Sequence, residues 1–501
     1  MPSLKKLVGQ TAVYGLSSII GRFLNYLLVP LYTYKITAES GGYGVVTNIY
    51  AYTALLLVLL TFGMETTFFY FANRDEVDPK RAFSTSANAV GLVSLVFWLL
   101  CMIFGQPIAN VMGYDAHPEF IRMMASVVAL DAFQAILFSQ LRYQNRAIKF
   151  ATLKLLFIIA NIGLNLFIFL VAPELKASQP ALMSWYNPDY QVGYIFIINL
   201  ICTAMVTFGF IPEIKNMRFG IDRQLLKQML VYTWPLLLFG LIGILNQVAD
   251  KICYRFIVPG AEGEVQLGIY GACVKIAMII AIFTQAFRYA YEPFVFGGQK
   301  DKNSKDAQAI VMKYFVMFTL LAFLIVALYL DIFRYIIHEN YWEGLRAVPI
   351  VMMAEIFMGI YFNLSFWYKL NKETWWGAIF SGLGCAALLA VNFIFVPKYG
   401  YMACAWGGFV GYGICMVLSY LVGQKRNRIN YDLKALFGYF LLAAALYIGS
   451  TFIPYGSVAV KLTVNTLLLL VYVAVLLYNE RAIVMRVVSG VNRRLGKKTK
   501  N

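Results

Sequence analysis

Charged residues are scarce in this chain. Only 13% of its 501 residues are Asp, Glu, Lys or Arg, whereas 60% belong to the hydrophobic set and the mean hydropathy is +0.68. A soluble globular domain carries roughly 25% charged residues and a smaller apolar fraction. The composition therefore excludes a soluble domain and indicates a polytopic membrane protein.

The residue types and motifs of common catalytic centres are also few. The chain has two histidines, His117 and His338, and seven scattered cysteines without a C-x-x-C pair. It has no H-E-x-x-H, Walker A or dinucleotide-binding glycine motif. A His-rich metal centre is thereby excluded, and ATP-driven transport by this chain alone is not expected. We predict a protein that is not an enzyme, holds no cofactor, and keeps its cysteines as free thiols.

Long loops are missing as well. The longest predicted outer loop, 173–191, is rich in Pro, Asn, Trp and Tyr. This composition indicates an ordered cap or an interfacial loop. The first outer loop, 35–42, has a single acid, Glu39. A membrane-embedded transferase or polymerase ordinarily places a pair of catalytic acids on a sizeable outer loop. The short loops therefore disfavour that alternative class.

Fourteen apolar runs are long enough to cross a bilayer, since about 20 residues of helix span roughly 30 Å of hydrocarbon. The fold class predicted from them is an all-α polytopic membrane protein with about 14 transmembrane helices. The predicted spans centre on 9–31, 45–70, 85–108, 120–140, 150–171, 193–211, 229–254, 267–290, 310–332, 347–368, 374–395, 401–423, 434–453 and 459–478.

The basic residues alternate between the loops and set the orientation. With the N-terminus inside, the inner segments and the tail 479–501 hold most of the 42 lysines and arginines. By the positive-inside rule we expect both termini in the cytoplasm. The net charge of +17 then indicates contact of the tail with anionic lipid and not with nucleic acid. The predicted outer loops hold only Lys35, Lys176, Arg255, Arg334 and Lys398.

An internal repeat divides the chain. Segments 43–72 and 270–299 align without gaps at an offset of 227, and the alignment pairs Glu65 with Glu292. The repeat predicts two six-helix lobes in parallel repeat plus two C-terminal helices, with a substrate site between the lobes. The predicted units are an N-lobe at 1–215 (spans 1–6), a C-lobe at 216–424 (spans 7–12), spans 13–14 at 425–478, and a basic cytoplasmic tail at 479–501.

Three stretches carry a resemblance to a known family: GQTAVYGLSSIIGRFLNYLLVPLYT at 9–33, YGVV at 43–46 and FGMETTFFYF at 62–71. They resemble polysaccharide flippases of the O-antigen type, in the multidrug/oligosaccharidyl-lipid/polysaccharide exporter superfamily. The resemblance implies a two-lobed bundle that moves undecaprenyl-diphosphate-linked glycans to the outer leaflet by alternating access. Fourteen spans are similar to the lipid II flippase branch, whereas drug exporters of the superfamily usually have twelve.

Ten charged residues fall inside predicted spans, although each costs on the order of 3 kcal/mol at the bilayer centre. Ten such side chains cannot all face lipid, so they must pair, line a water-filled cavity, or do both. They are Arg22, Glu65, Asp131, Lys154, Asp250, Lys251, Lys275, Arg288, Glu292 and Glu355.

The cationic members predict a site for an anionic head group. Arg22 and Asn25 share one face of span 1, and Lys251 lies on a polar stripe of span 7. We expect Arg22, Asn25, Lys251 and Lys275 to bind the diphosphate, because Arg offers a bidentate fork and Lys a point charge. The alternative is ion pairing between helices, such as Asp250 with Lys275. Polar-face aromatic residues, Trp234 and Tyr254 among them, are candidates for stacking on sugars.

The remaining charges are candidates for coupling and gating. Asp131 and Glu355 lie near mid-span without an obvious local partner, so each is a candidate H⁺ or Na⁺ site, the alternative being a pair with Arg22 or Lys275. Asp250 belongs to the same group of candidates. A second set, Glu65, Arg288 and Glu292, is predicted to gate the cytoplasmic mouth or to form local salt bridges.

The sequence thus predicts a flippase for undecaprenyl-diphosphate-linked oligosaccharides or polysaccharide repeat units. Its expected partners are the lipid-linked glycan, membrane lipids and the polysaccharide polymerase machinery. The alternatives are a secondary multidrug or cation exporter of the same superfamily and a lipid II-type flippase. Spans 1, 7 and 8 carry four bases and two acids, which mildly favours an anionic substrate.

Overall fold

The computed structural model describes residues 26–297, 304–371, 373–453 and 457–481. Within these ranges the regular structure is entirely helical, which confirms the predicted all-α class. The first half has α1 Leu28–Lys35, α2 Gly42–Thr61, α3 Met64–Ala72, α4 Pro79–Ile103, α5 Gly105–Met112, α6 Pro118–Tyr143, α7 Ala147–Leu166, α8 Ala172–Ser178, α9 Gln191–Gly209 and α10 Ile211–Lys215. The second half has α11 Arg223–Ile257, α12 Ala261–Gly297, α13 Ser304–Leu328, α14 Leu330–Phe333, α15 Val348–Leu364, α16 Phe366–Leu370, α17 Trp375–Tyr399, α18 Tyr401–Arg426, α19 Leu433–Phe452 and α20 Val458–Asn479.

Thirteen stretches of the described chain are long and apolar enough to cross a membrane. Each coincides with one of the predicted spans 2–14, so those thirteen positions are confirmed. The first predicted span, 9–31, lies mostly outside the described residues. Several spans are composite: α2 and α3 form one, α7 continues through a π-helical turn at Phe167–Val171 into α8, and a 3₁₀ helix at Glu339–Ala347 leads into α15.

Helix starts on the predicted inner side follow ordinary capping rules. The carboxylate of Asp78 accepts from the backbone N–H of Lys80, with Pro79 at the first helical position. Asp222 caps α11 by accepting from the N–H of Leu225. This hydrogen bond and the Arg81 guanidinium hold the pKa of the Asp222 carboxyl below its usual range. Local sequence therefore defines where these spans begin.

The second span is broken in its middle. Phe62 (φ 35°) and Gly63 (φ 73°) both adopt the left-handed conformation and separate α2 from α3. The break frees the carbonyl of Phe62, which accepts a 2.6 Å hydrogen bond from Thr233 Oγ1 on α11. A backbone group freed inside a membrane needs such a partner. The break therefore ties the second span to α11.

The long helix α11 contacts both halves of the chain. Its first turns bury Leu225 and Met229 in an apolar core with Phe68 and Phe138 of the first half. Farther along, beyond Pro235, Asn246 Nδ2 donates to the carbonyl of Ser381 on α17 at 2.9 Å. The same helix thus packs on the first half at one end and on the second half at the other.

The apolar cores differ between the two ends of the bundle. At the predicted outer end a single core runs from Tyr43 of α2 to Ile276 of α12 and Met352 of α15, and so joins both halves. At the predicted inner end the core around Phe68 belongs to the first half and α11, while Tyr291 and its neighbours form a separate small core in the second. One continuous core therefore joins the halves at the predicted outer end, whereas at the inner end the apolar packing between them described here is that of α11 on the first half.

The predicted outer loop 173–191 is ordered. After α8, Lys176 Nζ donates to the carbonyl of Tyr186 at 2.5 Å. The ring of Tyr186 stacks on Tyr194 of α9 with centroids 5.3 Å apart. These contacts fit the ordered cap, one of the two alternatives that the composition left open, and an interfacial position of the loop stays a prediction.

Candidate functional site

A buried ion pair on α11 forms the centre of the candidate site. Lys251 Nζ lies 2.9 Å from both carboxylate oxygens of Asp250, and only 8% of the Asp250 side chain is exposed. The ammonium also donates to the carbonyl of Gln247 at 3.2 Å. The lysine stem therefore turns back toward its own helix. Asp250 therefore pairs with its chain neighbour Lys251 and not with Lys275, the alternative partner that the sequence allowed.

Two further helices add charge beside this pair. Tyr270 of α12 donates its hydroxyl to Asp250 Oδ2 at 2.8 Å, and its ring lies 5.5 Å from Lys251 Nζ. Lys275, one turn farther on α12, is within electrostatic range of Lys251. Glu355 of α15 is within range of both Asp250 and Lys251. Two bases and two acids of the predicted site are thus close enough to interact electrostatically.

We call Asp250, Lys251, Lys275 and Glu355 the four-charge cluster. Its formal charges sum to zero, and the pairing of Asp250 with Lys251 reduces the cost of holding those two charges within the membrane. Glu355 Oε2 is nevertheless buried without a hydrogen-bond partner among the described residues. A carboxylate oxygen in that state can accept a proton or a cation. Because Asp250 already holds Lys251, an incoming phosphate must compete with it for the ammonium.

The first half of the chain reaches the backbone of this cluster. Asn48 of α2 donates from Nδ2 to the carbonyl of Lys251 at 2.8 Å. Tyr114, just after α5, donates its hydroxyl to Asn48 Oδ1 at 2.9 Å. Both Asn48 and Tyr114 are buried. The four-charge cluster therefore lies at the junction between the two halves.

One turn beyond Lys251, Arg255 clasps the halves together at the predicted outer end. Its guanidinium pairs with Glu264 of α12 and donates to the carbonyls of Met112 and Gly113, at 3.2 and 3.1 Å. It also lies 4.8 Å above the ring of Tyr114. We call this set the outer clasp. Arg255 was predicted to be an outer-loop cation; it lies instead on α11 with 7% of its side chain exposed.

Two glycines allow the helices at the outer clasp to approach closely. A Cβ on Gly44 of α2 would overlap the backbone carbonyl of Glu264, and a Cβ on Gly268 of α12 would lie 2.9 Å from the Gly44 nitrogen. Small residues permit such backbone contact between membrane helices. Nearby, Tyr341 donates its hydroxyl to the carbonyl of Ile36 at 2.7 Å. The predicted outer end is therefore closed.

Gly44→Ala is expected to loosen this closure without removing any charge. The reporter is Thr47→Cys in a chain without native cysteines, because Thr47 Oγ1 faces Gly271 across the junction. Overpacking costs about 1–3 kcal/mol, so labelling by an impermeant maleimide should speed up about ten-fold. Gly163→Ala is the matched control, since a Cβ there meets nothing within 4 Å. Equal labelling in both variants would show that this contact does not hold the outer end closed.

Asp131 lies in the first half, apart from the four-charge cluster. Thr203 Oγ1 donates to Asp131 Oδ1 at 3.4 Å, and Lys154 is within electrostatic range. Lys154 Nζ lies 4.1 Å from the ring centroid of Phe138. Asp131 thus has a cationic neighbour, Lys154. The sequence did not indicate this neighbour, because the two residues lie on different helices and spacing along the chain does not show which helices pack together. Neither residue has a described contact with Lys275.

The predicted gate residues are only partly described. Glu65 accepts from Arg142 at 3.0 Å and from Ser139 Oγ at 3.3 Å, both on α6. The partner of Glu65 is therefore a cation of another helix. Arg288 lies 4.0 Å from the ring centroid of Phe362. The side chain of Glu292 lies outside the described residues, so its expected bridge to Arg288 stays a prediction.

Two predicted phosphate ligands, Arg22 and Asn25, lie outside the described residues, and their role stays a prediction. Tyr254, a candidate for sugar stacking, is fully buried with its hydroxyl against Gln266, so it cannot contact a glycan in this conformation. Trp234 is 60% exposed. In the described part of the chain, no three His, Cys, Asp or Glu side chains are grouped as metal ligands.

Three residues of the junction carry no feature that would mark them in the sequence. Tyr270, Asn48 and Tyr114 make its hydrogen bonds, but tyrosine and asparagine are frequent in this chain and carry no charge cost that would mark them. Tyr270 did appear in the internal repeat as the counterpart of Tyr43. Repeat alignment was therefore the one signal that could have found it.

The chain matches one protein family by sequence, and its fold is similar to those of several solved transporter structures. Residues 7–290, more than half of the chain, match the family described as polysaccharide biosynthesis protein. No curated protein sequence matches the chain. Among solved structures, the lipid II flippase MurJ in an inward closed conformation superposes with a TM-score of 0.68 at 14% identity, covering 93% of this chain and 98% of that one.

Two multidrug transporter structures are similar in the same way. An inward-facing multidrug resistance MATE family transporter of the MOP superfamily gives a TM-score of 0.55 at 15% identity, covering 83% of this chain and 95% of that one. A mutant form of the MATE transporter VcmN of Vibrio cholerae gives 0.56 at 13% identity, covering 86% and 98%. At these identities the likeness establishes the fold, and the sequence match establishes the family. This chain belongs to the polysaccharide biosynthesis protein family, and its fold is similar to those of MurJ and the MATE transporters.

Proposed function

We propose that the chain flips undecaprenyl-diphosphate-linked oligosaccharides or repeat units across a bacterial inner membrane by alternating access. The observation that carries the proposal is the placement of Lys251 and Lys275 at the junction of the two halves, in a member of a polysaccharide biosynthesis family. A diphosphate needs cations inside a membrane, and a neutral or cationic drug does not.

In the proposed cycle the glycan carrier enters from the cytoplasmic side. The separate inner cores allow the halves to part there, while the outer clasp keeps the opposite end closed. Arrival of the diphosphate draws Lys251 from Asp250, which leaves Asp250 hydrogen-bonded to Tyr270. Opening of the outer clasp then releases the head group outward. Both termini are cytoplasmic in this proposal, and the polysaccharide polymerase machinery takes the product.

The test is translocation of undecaprenyl-diphosphate oligosaccharide in proteoliposomes, alongside ethidium transport by the same preparation. Glycan translocation without ethidium transport supports the proposal. Ethidium transport without glycan translocation would favour the second candidate function, a multidrug exporter, which the similarity to multidrug transporters supports. Mass spectrometry of lipids that copurify with the protein then separates lipid II from other diphosphate-linked glycans.

Coupling to H⁺ or Na⁺ is proposed to run through Glu355. Its unpartnered buried oxygen sits beside Asp250 and Lys251, so a bound cation would change the hold of Asp250 on Lys251. We expect Glu355→Gln to abolish the dependence of transport on an imposed pH or Na⁺ gradient while leaving a slow, gradient-independent rate. Asp131→Asn is the comparison, since Asp131 has Lys154 beside it instead. An unchanged gradient dependence in Glu355→Gln would assign coupling elsewhere.

A further inference from the structure

One face of α11 at the predicted inner surface is exposed among the residues that the structure describes. Arg223 and Lys227 lie one turn apart, followed on the same face by Leu230, Val231 and Trp234, which are 43%, 73% and 60% exposed. Together with Leu226 these residues line a shallow, open depression on the surface of this helix. We call them the α11 stripe. Along the helix, the two cations of the stripe come first, at the start of the span, and its apolar side chains follow deeper in the membrane.

The two cations of the stripe have no acidic partner within the described ranges. Other cations at this end do pair with acids: Arg81 pairs with Asp222, Arg142 with Glu65, and Arg146 and Lys149 with Glu213. The two stripe cations therefore offer a net positive charge that the protein itself does not neutralise.

The stripe is held open because the opposite face of the helix is occupied. Leu225, Met229 and Thr233 are buried against the first half, and the Thr233 hydroxyl is bonded to the carbonyl of Phe62. Turning the stripe inward would break this packing. The cations and apolar residues therefore remain available to a ligand and do not close onto the protein.

The dimensions fit a lipid with a charged head. Arg223 and Trp234 are eleven residues apart, about 17 Å of helix at 1.5 Å per residue. This is close to the roughly 15 Å depth of one hydrocarbon leaflet. A head group at Arg223 and Lys227 would thus place its chain along Leu230, Val231 and Trp234. The stripe is a single helix face, which suits one hydrocarbon chain better than two.

The charge of the stripe also matches one lipid class. Two cations one turn apart complement two ionised phosphoryl groups, with Arg as a fork and Lys as a point charge. A phosphatidylglycerol head has only one phosphoryl group. We propose that the α11 stripe is a docking site for a polyprenyl diphosphate in the inner leaflet, separate from the four-charge cluster. The inference rests on the proposed function for its role, which is to collect the carrier before translocation.

The test measures binding and translocation separately on the full-length protein. The binding probe is geranylgeranyl diphosphate, added to protein in nanodiscs of phosphatidylcholine, with bound molecules counted by native mass spectrometry. Each cation near an anionic head group contributes roughly a five-fold preference, so R223Q/K227Q should weaken this binding by about ten-fold or more. The half-saturating donor concentration for translocation should rise similarly while the maximal rate stays unchanged.

The matched control is K425Q/R428Q, which removes one lysine and one arginine exposed at the same surface but not above this stripe. Trp234→Ala tests the chain contact and should weaken binding without changing charge. Equal binding by wild type and R223Q/K227Q, equal losses in the control, or equal competition by phosphatidylglycerol would each overturn the docking site. Absence of translocation in wild type would instead contradict the proposed function, and the binding result would still decide the site.

Discussion

Replacing Lys251 by Ala is expected to abolish glycan translocation. The variant removes a cation at the junction and leaves the Asp250 carboxylate, 8% exposed, with only Tyr270 as a described partner. Breaking a buried pair by removing one member costs about 3–5 kcal/mol. The measurement is undecaprenyl-diphosphate oligosaccharide flipping in proteoliposomes, at matched amounts of folded protein.

A loss of activity alone would not separate phosphate binding from structural pairing. The double variant D250N/K251M removes both charges and so avoids a buried unpaired carboxylate. If Lys251 binds the diphosphate, the double variant folds well but stays inactive. If Lys251 only neutralises Asp250, the double variant recovers translocation, and that recovery would remove Lys251 from the proposed substrate site. Lys251→Arg should keep partial activity, because the charge is retained.

Replacing Arg255 by Ala is expected to open the predicted outer end. The guanidinium is 7% exposed and joins α12, through Glu264, to the carbonyls of Met112 and Gly113 in the first half. Its removal leaves two carbonyl groups and a carboxylate without their cation. Removing one member of a buried pair costs about 3 kcal/mol. If the conformation that is open at the outer end is rare in the wild type, its population should rise by roughly a hundred-fold. Labelling of Thr47→Cys by an impermeant maleimide reports this opening.

Arg346→Ala provides the control for the outer clasp. Arg346 also pairs with a glutamate, Glu343 at 2.9 Å, but the pair is exposed and lies within the second half. An exposed pair of this kind contributes about 0–1 kcal/mol, so labelling should change little. Equal labelling of the two arginine variants would mean that Arg255 does not hold the halves together. Translocation by Arg255→Ala should fall too, because a carrier needs its two ends closed in turn.

Hydropathy and charge pattern were enough to locate the spans. A bilayer acts as solvent on each segment separately, so a span is a property of its own 20 or so residues. This explains why thirteen stretches of the described chain coincide with predicted runs. The family resemblance likewise depended on short stretches of the chain, at 9–33 and 62–71. The family match over residues 7–290 confirms it.

The partners of the buried charges could not be read from the chain. Asp250 pairs with Lys251, Asp131 has Lys154 nearby, and Glu65 pairs with Arg142. Which base meets which acid depends on which helices are neighbours and on how each is rotated. Several pairings were equally compatible with spacing, so the sequence left them open.

Composition and periodicity alone therefore specified a helical membrane bundle, its span positions and the charges that it must bury. Only the packing of α2 against α11 and α12 decided that four of those charges share one junction and that Arg255 closes one end. The physical reason is range: the cost of placing a residue in hydrocarbon is set locally, whereas pairing energy exists only between groups that a fold brings within a few ångströms.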